Sequence, residues 1–335
     1  MECHLPQQPV RNSILYLYLV CSILSMTGAW LTVRFAFKFG FLDSPNKRSS
    51  HVTPTPKGGG IGILAAFILA SLVLKIPADF WLSATLLSLI SLYGDRIELA
   101  PRLRLFFQFI AAFILTYSLP LCSRNPFLCT LLSLVFIVGT ANFYNFMDGI
   151  NGIASITGVV GFGLLALYAF FSQPDYSLLN LALCISFSCL GFLPFNIPGA
   201  KVFMGDVGSI LLGFVYAGMV LVLSENLSDF ITLSAFLFPF YADELITMAV
   251  RAGKGENLSK PHRSHIYQML ANEYKIRHWK VSAGYGLVQM LVGISILLIK
   301  DFGTAVVISV LAAYFCGVIA VSCTLRRNLL RADRR

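Results

Sequence analysis

Three carboxylates, each beside a glycine, are the residues of this sequence best suited to chemistry. Asn142, Asn145 and Asp148 recur at i, i+3 and i+6 and run into Gly149-Ile150-Asn151-Gly152. On a helix that spacing makes one stripe, which the glycines would then end. Two carboxamides and a carboxylate are the oxygen ligands a hard cation such as Mg²⁺ takes, although the same groups also serve as polar glue between helices. Asp206 stands in Asn196-Ile-Pro-Gly-Ala-Lys201-Val-Phe203-Met204-Gly205-Asp206-Val-Gly208-Ser209, just before an apolar run. It is placed to cap the helix that follows, or to hold a metal beside a phosphate resting on that helix N-terminus. Phe203 offers a face to a nucleobase or to the membrane interface. Asp95, in Gly94-Asp95-Arg96 with Arg102 and Arg104 close behind, sits at the end of another apolar run; its plainer reading is an interfacial ion pair worth little.

Two further segments supply donors. The first reads Asp43-Ser-Pro-Asn-Lys47-Arg48-Ser49-Ser50-His51 and continues to Lys57-Gly58-Gly59-Gly60; the second reads Lys260-Pro261-His262-Arg263-Ser264-His265-Ile266-Tyr267. Lysine, arginine and serine are phosphate-directed donors, and the glycines allow close backbone approach where a helix opens. Two histidines three apart, with no C-x-x-C pair in the chain, are a weak zinc signature. Asp243 and Glu244 fall inside an apolar stretch, so one of them is expected to face the interior, with Arg251 helping to neutralise it.

The elements that carry these residues are membrane helices. Of the 335 residues 57% are hydrophobic and only 12% charged, against about 25% charged in a soluble domain. The apolar residues come in blocks of about 17–25, enough to cross a bilayer core as helices. The blocks predict an all-α polytopic bundle of about eleven helices, near 13–36, 60–76, 79–94, 103–120, 126–147, 152–172, 177–196, 207–224, 228–250, 281–299 and 302–325. An odd number of spans puts the termini on opposite sides. With the N-terminus outside, twenty basic residues fall on the inner side and four outside, the bias that sets orientation. The net charge of +9 is then a topology signal, with some attraction for anionic headgroups, and nucleic acid is not an expected partner. Residues 1–335 read as a single membrane domain whose inner loops, 38–59, 94–104, 145–152, 196–209 and 251–280, gather the carboxylates and four of the five histidines on one face.

Taken together, DSPNKRSSHVTPTPKGGG, the GDR segment with its RLR, NFYNFMDGINGIAS, NIPGAKVFMGDVGS and PHRSHIYQ resemble the polyprenyl-phosphate N-acetylhexosamine-1-phosphate transferases. The five motifs stand in the family's order over residues 43–268. RSSH and HRSHIYQ look closest to the branch that initiates O-antigen.

The resemblance implies a reaction in which undecaprenyl phosphate attacks the β-phosphorus of a UDP-N-acetyl sugar and UMP leaves. It implies Mg²⁺, with Mn²⁺ able to substitute, held at Asn145 and Asp206. It implies catalytic roles for Asp95, Asp148, His262, Arg263 and His265, and substrate contacts from Lys47, Arg48, His51, Asn142, Asn151, Asn196 and Phe203. It implies a multi-pass protein of the bacterial inner membrane with a cytoplasmic site, periplasmic N-terminus and cytoplasmic C-terminus; membrane lipid is its surroundings and a homodimer is compatible with it. The chain departs from the family pattern twice, with Gly94-Asp95 where adjacent aspartates are usual and Asn151 where a second aspartate is usual. The alternatives are a weakened or inactive homologue that binds lipid phosphate, and a transporter, whose charges would gather near the midplane instead of at one face.

Overall fold

The computed structural model describes residues 8–45, 53–97, 99–117, 119, 125–172, 176–258, 260 and 262–332, with side chains described between 13 and 331. The chain runs α1 (Gln8–Phe39), β1 (Leu42–Asp43), β2 (Thr55–Pro56), α2 (Ile61–Val73), α3 (Ala78–Ile97), α4 (Pro101–Tyr117), α5 (Pro126–Phe146), α6 (Ile153–Ser172), α7 (Ser177–Asn196), α8 (Asp206–Leu223), α9 (Leu227–Ser234), α10 (Phe238–Gly253), α11 (Ile266–Gln268), α12 (His278–Ile299) and α13 (Thr304–Ala332). With α9 and α10 joined through the 3₁₀ turn Ala235–Leu237, the long helices match the eleven expected spans. Eight of these segments are long and apolar enough to cross a membrane; α2, α3 and α4 are shorter or more polar. The two-residue antiparallel ladder between β1 and β2 is the only strand pairing among the described residues and only pins the first inner loop.

Helices in lipid gain little from burying apolar side chains against one another, so close backbone approach and polar contacts hold them together. A Cβ on Gly191 of α7 would lie 2.2 Å from the Ser22 carbonyl oxygen of α1, and Tyr18 donates to Asn180 Oδ1 at 2.6 Å across the same pair. Where α9 gives way to α10 at Pro239, the freed carbonyl of Phe236 accepts from Gln289 Nε2 at 2.8 Å, the kind of repair that permits broken helices inside a membrane.

The helix apolar on all sides lies innermost. Of α8's span 83% is buried, against 11% for α13. The residue that opens α8 is therefore carried to the middle of one face of the bundle, and that residue is Asp206.

Candidate active site

Asp206 is shared between two neighbouring helices. One carboxylate oxygen accepts from Asn145 Nδ2 of α5 at 2.8 Å, and the same amide reaches Ser209 Oγ at 2.8 Å. The other oxygen is ion-paired to Arg104 Nη1 of α4. Arg104 also donates to the carbonyls of Gly94 and Leu99 at 3.2 and 3.1 Å, so it ties the α3–α4 turn to the start of α8. Sequence reasoning did not pair Arg104 with Asp206. A signal was present: basic residues in a helix's first turn oppose the helix dipole, and α4 starts at Pro101 with Arg102 and Arg104 in that turn.

Asp206 does not cap α8; Asp95 does, its Oδ2 accepting the Asp206 N–H at 3.0 Å. Gly205, between the preceding loop and the helix, has φ +74°, a conformation open to glycine. A Cβ there would come within 2.8 Å of Gly58 N and 3.0 Å of Asp95 Oδ2. Burial, and after it the charge of Asp206, push the Asp95 carboxyl up to about 7, against the opposing pull of Lys57, the Asp206 N–H and Arg104.

The expected stripe of Asn142, Asn145 and Asp148 divides. Helix α5 ends at Phe146, two residues before Asp148, which lies in the turn leading to α6. Asn142 faces α4, donating to Gln108 Oε1 at 2.6 Å and to the Val138 carbonyl at 2.7 Å. Asn145 faces α8 and Asp206. Burial, then the charges of Asp206 and Asp95, hold the Asp148 carboxyl well above the ordinary carboxylate range, which places the three acids close enough to feel one another.

Around this centre the loops are stitched together. Buried Asn196 accepts from Gly152 N at 2.5 Å and donates to the Val202 carbonyl at 2.9 Å, joining the turn after Asp148 to the loop before Asp206. Asn151 donates to the Pro198 carbonyl at 3.3 Å, and its own carbonyl accepts from Ser282 Oγ at 2.8 Å. Half-buried Phe203 is fixed through its backbone: its N–H donates to the Pro56 carbonyl at 2.8 Å and its carbonyl accepts from Gly59 N at 2.9 Å. The glycines of the first loop admit another helix closely, since a Cβ on Gly60 would lie 2.5 Å from Gly208 Cα. Lys47, Arg48 and His51 lie outside the described residues.

A strap of residues 262–268 crosses the site. Its anchor is Asp243 of α10, which accepts from Ile266 N at 2.7 Å, Tyr267 N at 3.1 Å, Tyr285 Oη at 2.7 Å and Thr247 Oγ1 at 3.2 Å. His265 is buried between two acids, its Nδ1 3.6 Å from Asp243 and its Nε2 3.4 Å from Glu244. Both acids thus face the interior. Arg251, expected to help neutralise one of them, acts on Glu244 through its charge, while its hydrogen bonds go to Glu256 at 3.0 Å and to the carbonyls of Asn257, Leu258 and Lys260. His262 is half-buried, its Nδ1 3.0 Å from Ser264 Oγ. Burial, then the charges of His265 and Arg251, push its ring down to about 4, so it is neutral at pH 7. Arg263 is half-buried beside it. Tyr267 donates to the Phe146 carbonyl at 3.0 Å, which sets the strap against the Asp148 turn, and Arg326 of α13 donates to the Ser264 carbonyl at 2.7 Å.

Among the described residues no three His, Cys, Asp or Glu side chains form a metal-holding group. One carboxylate with one carboxamide does occur, at Asp206 and Asn145, and that donor set suits Mg²⁺, which keeps water and substrate phosphate for its remaining positions.

Residues 78–224 match the model of glycosyl transferase family 4. The chain is 29% identical to an undecaprenyl-phosphate alpha-N-acetylglucosaminyl 1-phosphate transferase of Thermotoga maritima over 78% of this chain and 84% of that protein. A protein of the same name from Pasteurella multocida is 32% identical over 75% and 78%. A probable undecaprenyl-phosphate N-acetylglucosaminyl 1-phosphate transferase of Bacillus subtilis is 24% identical over 79% of both chains.

Proposed function

Because the chain belongs to the polyprenyl-phosphate N-acetylhexosamine-1-phosphate transferases of glycosyl transferase family 4, we propose that it transfers an N-acetylhexosamine 1-phosphate from a UDP-sugar to undecaprenyl phosphate. UMP is released, and a cell-envelope polysaccharide such as O-antigen is initiated. The names of the relatives favour N-acetylglucosamine as the sugar. The reaction takes place at the cytoplasmic face of a bacterial inner membrane, with the N-terminus periplasmic and residues 1–335 acting as one membrane domain. The observation that carries this reading is the meeting of Asp95, Asn145, Asp148, Asp206 and Arg104 at the head of the most buried helix.

Two anions must approach each other in this transfer, so their charge has to be screened and their geometry fixed. An oxygen of the lipid phosphate attacks the β-phosphorus, the bond from that phosphorus to the bridging oxygen breaks, and UMP leaves with that oxygen. Asp206 and Asn145 would hold Mg²⁺, or Mn²⁺ in its place, and the bound ion would supply Lewis-acid screening of the diphosphate. Asp148, its carboxyl held above the ordinary carboxylate range by burial and the charges of Asp206 and Asp95, lines the nucleotide-sugar site. Asp95 fixes Asp206 through its backbone. Arg263 and neutral His262 donate to the phosphates, while His265 holds the strap that presents them. Phe203 stacks the uracil. Asn196 and Asn151 shape the nucleotide-sugar wall, Asn142 braces α5 against α4, and Lys47, Arg48 and His51 keep the substrate-binding role that the family resemblance gives them.

The test is UMP release by membranes carrying the protein, with added undecaprenyl phosphate and either UDP-N-acetylglucosamine or UDP-N-acetylgalactosamine, read together with radiolabel in the lipid extract. Gly94, which leaves Asp95 without the adjacent aspartate usual in the family, favours a second reading as a weakened homologue that binds lipid phosphate. Binding of undecaprenyl phosphate without UMP release would select it.

A further inference from the structure

Helix α13 packs against α10 and α12 from Val307 through Tyr314 to Val318 and is tied again near its inner end. Near its start, Val307 packs with Val292 and Ile296 of α12 in a small core of its own. Near its inner end, Arg326 reaches the Ser264 carbonyl and the Leu325 carbonyl accepts from Tyr274 Oη at 2.9 Å. Beside these contacts, with Val310, Tyr314 and Val318 on its wall, α10, α12 and α13 enclose a groove of about 870 Å³.

Missing side chains set the width of that groove. Gly284 of α12 and Gly317 of α13 both line it, and a Cβ on either would meet no heavy atom within 4 Å. Two other glycines of α12 behave in the opposite way: a Cβ on Gly286 would lie 2.4 Å from Ile156, and one on Gly293 2.3 Å from Leu164. Those two bring α6 close, as small residues do between membrane helices. Gly284 and Gly317 bring nothing close and leave a channel.

Among the described residues the charged ones lining the channel are Lys280 and Asp243. Lys280 is exposed at the inner end, its ammonium 5.7 Å from the Trp279 ring centroid. Asp243 is occupied by its four donors. An apolar channel that opens sideways among membrane helices is filled by hydrocarbon, because empty space forfeits dispersion contacts. One lysine at the cytoplasmic end selects an anionic headgroup. The neighbouring carboxylate favours the single charge of a phosphodiester over the double charge of a phosphomonoester.

We propose that the groove between α10, α12 and α13 is a binding site for an anionic bilayer phospholipid, its chains passing Gly284 and Gly317 and its phosphodiester resting on Lys280. The site is separate from the Asp206 centre. Its inner end touches Asp243 and Ile266, so an occupant braces the anchor of the strap. The proposal does not depend on the transfer reaction.

Trp279 reports on the site. With Trp30→Phe and Trp81→Phe it becomes the one remaining tryptophan of three. The full chain in phosphatidylcholine vesicles is titrated with brominated phosphatidylglycerol and, separately, with brominated phosphatidylcholine. The expected result is quenching with a preference of about five-fold for phosphatidylglycerol, the size expected of one lysine at a membrane surface. Lys280→Gln should bring that preference to about one, and Gly284→Leu with Gly317→Leu should weaken quenching by both lipids. Equal quenching by the two lipids, or a preference unchanged in Lys280→Gln, overturns the proposal. So does displacement of brominated phosphatidylglycerol by equimolar undecaprenyl phosphate, which would make the occupant the acceptor lipid, and so does an absence of quenching, which would mean a protein helix fills the groove. Should the tryptophan variants fail to fold, native mass spectrometry of the otherwise unaltered chain decides the matter: retained phosphatidylglycerol must fall in Lys280→Gln.

Discussion

Arg104 and Asp206, 102 residues apart in sequence, form an ion pair that joins the first turn of α4 to the first residue of α8. The carboxylate best placed to hold a cation is thus already held by a fixed positive charge, and substrate binding has to reorganise or exploit that pair. Asp206→Ala should lower sugar-phosphate transfer at least about 100-fold while the protein still accumulates in membranes. Arg104→Lys keeps the charge but loses the fork that also reaches Gly94 and Leu99, and should retain more activity than Arg104→Gln. Radiolabel in extracted lipid measures all three, and full activity in Asp206→Ala would remove the metal assignment.

Asn145→Ala should leave the maximal rate within about ten-fold but raise the Mg²⁺ concentration for half-maximal rate, since one of the two side chains proposed to hold the cation is lost. A Mg²⁺ titration at saturating substrates reads this directly; an unchanged midpoint would reduce Asn145 to a brace between α5 and α8.

Asp95 has its carboxyl pushed up to about 7, above its unfolded value. Such a group favours the folded state most when protonated; its contribution is complete below pH 4 and lost as pH rises through about 7. Asp95→Asn, which keeps an acceptor for the Asp206 N–H, should therefore melt higher than the parent at pH 8, by about 2–4 °C. A lipid phosphate has its second pKa near 6, so where Asp95 is ionised the acceptor has little need of a base. The variant should lose the inflection near pH 7 in its rate profile and keep measurable activity, whereas Asp95→Ala should lose far more. Equal loss in both variants at every pH would mean that the negative charge itself is required.

For His262 the sign is reversed. Its ring is pushed down to about 4, so the stability it contributes is present above about 6.5 and disappears as pH falls toward 4. His262→Gln should flatten the dependence of melting temperature on pH over that range and keep transfer at pH 7.5 within about ten-fold, because no positive charge is removed there. Asp243→Ala should abolish transfer by releasing Ile266 and Tyr267, with Asp243→Asn intermediate. A His262→Gln variant inactive at pH 7.5 would mean that the ring is charged in the substrate complex.

Orientation is open to direct labelling. In intact cells a cysteine at exposed Lys254 should be silent to an impermeant thiol reagent until the membrane is permeabilised, and one at Asp301, 87% exposed, should react at once. The reverse pattern would place the site outside the cell.

How far the sequence could be read depended on range. Apolar blocks and the basic asymmetry act locally, so the helices and the face that gathers the acids were legible. Asp148 fell off its stripe because α5 stops at Phe146, and the glycines beyond it mark a turn without fixing its first residue. Periodicity tells which face a residue occupies but not which helix it meets, so Asn142 with Gln108, and Asp206 with Arg104, could not be paired. Asp243 in an apolar run did announce that it faces inward. The charge of nearby Arg251 is felt by Glu244, but the partners of Asp243 are two backbone N–H groups, the hydroxyls of Thr247 and Tyr285 and the ring of His265, most of them distant in sequence and none marked by composition.

The hydrogen bond from Arg326 to the Ser264 carbonyl spans 62 residues, and this fixes an order in time. Chains are made from the N-terminus at about 5–20 residues per second, so the strap emerges about 3–12 s before the arginine that clasps it. During that interval every motif is present, yet the strap set against the Asp148 turn lacks its last tether. The site is therefore completed last in biogenesis, and a nascent chain stalled before residue 326 would carry its chemistry unclasped.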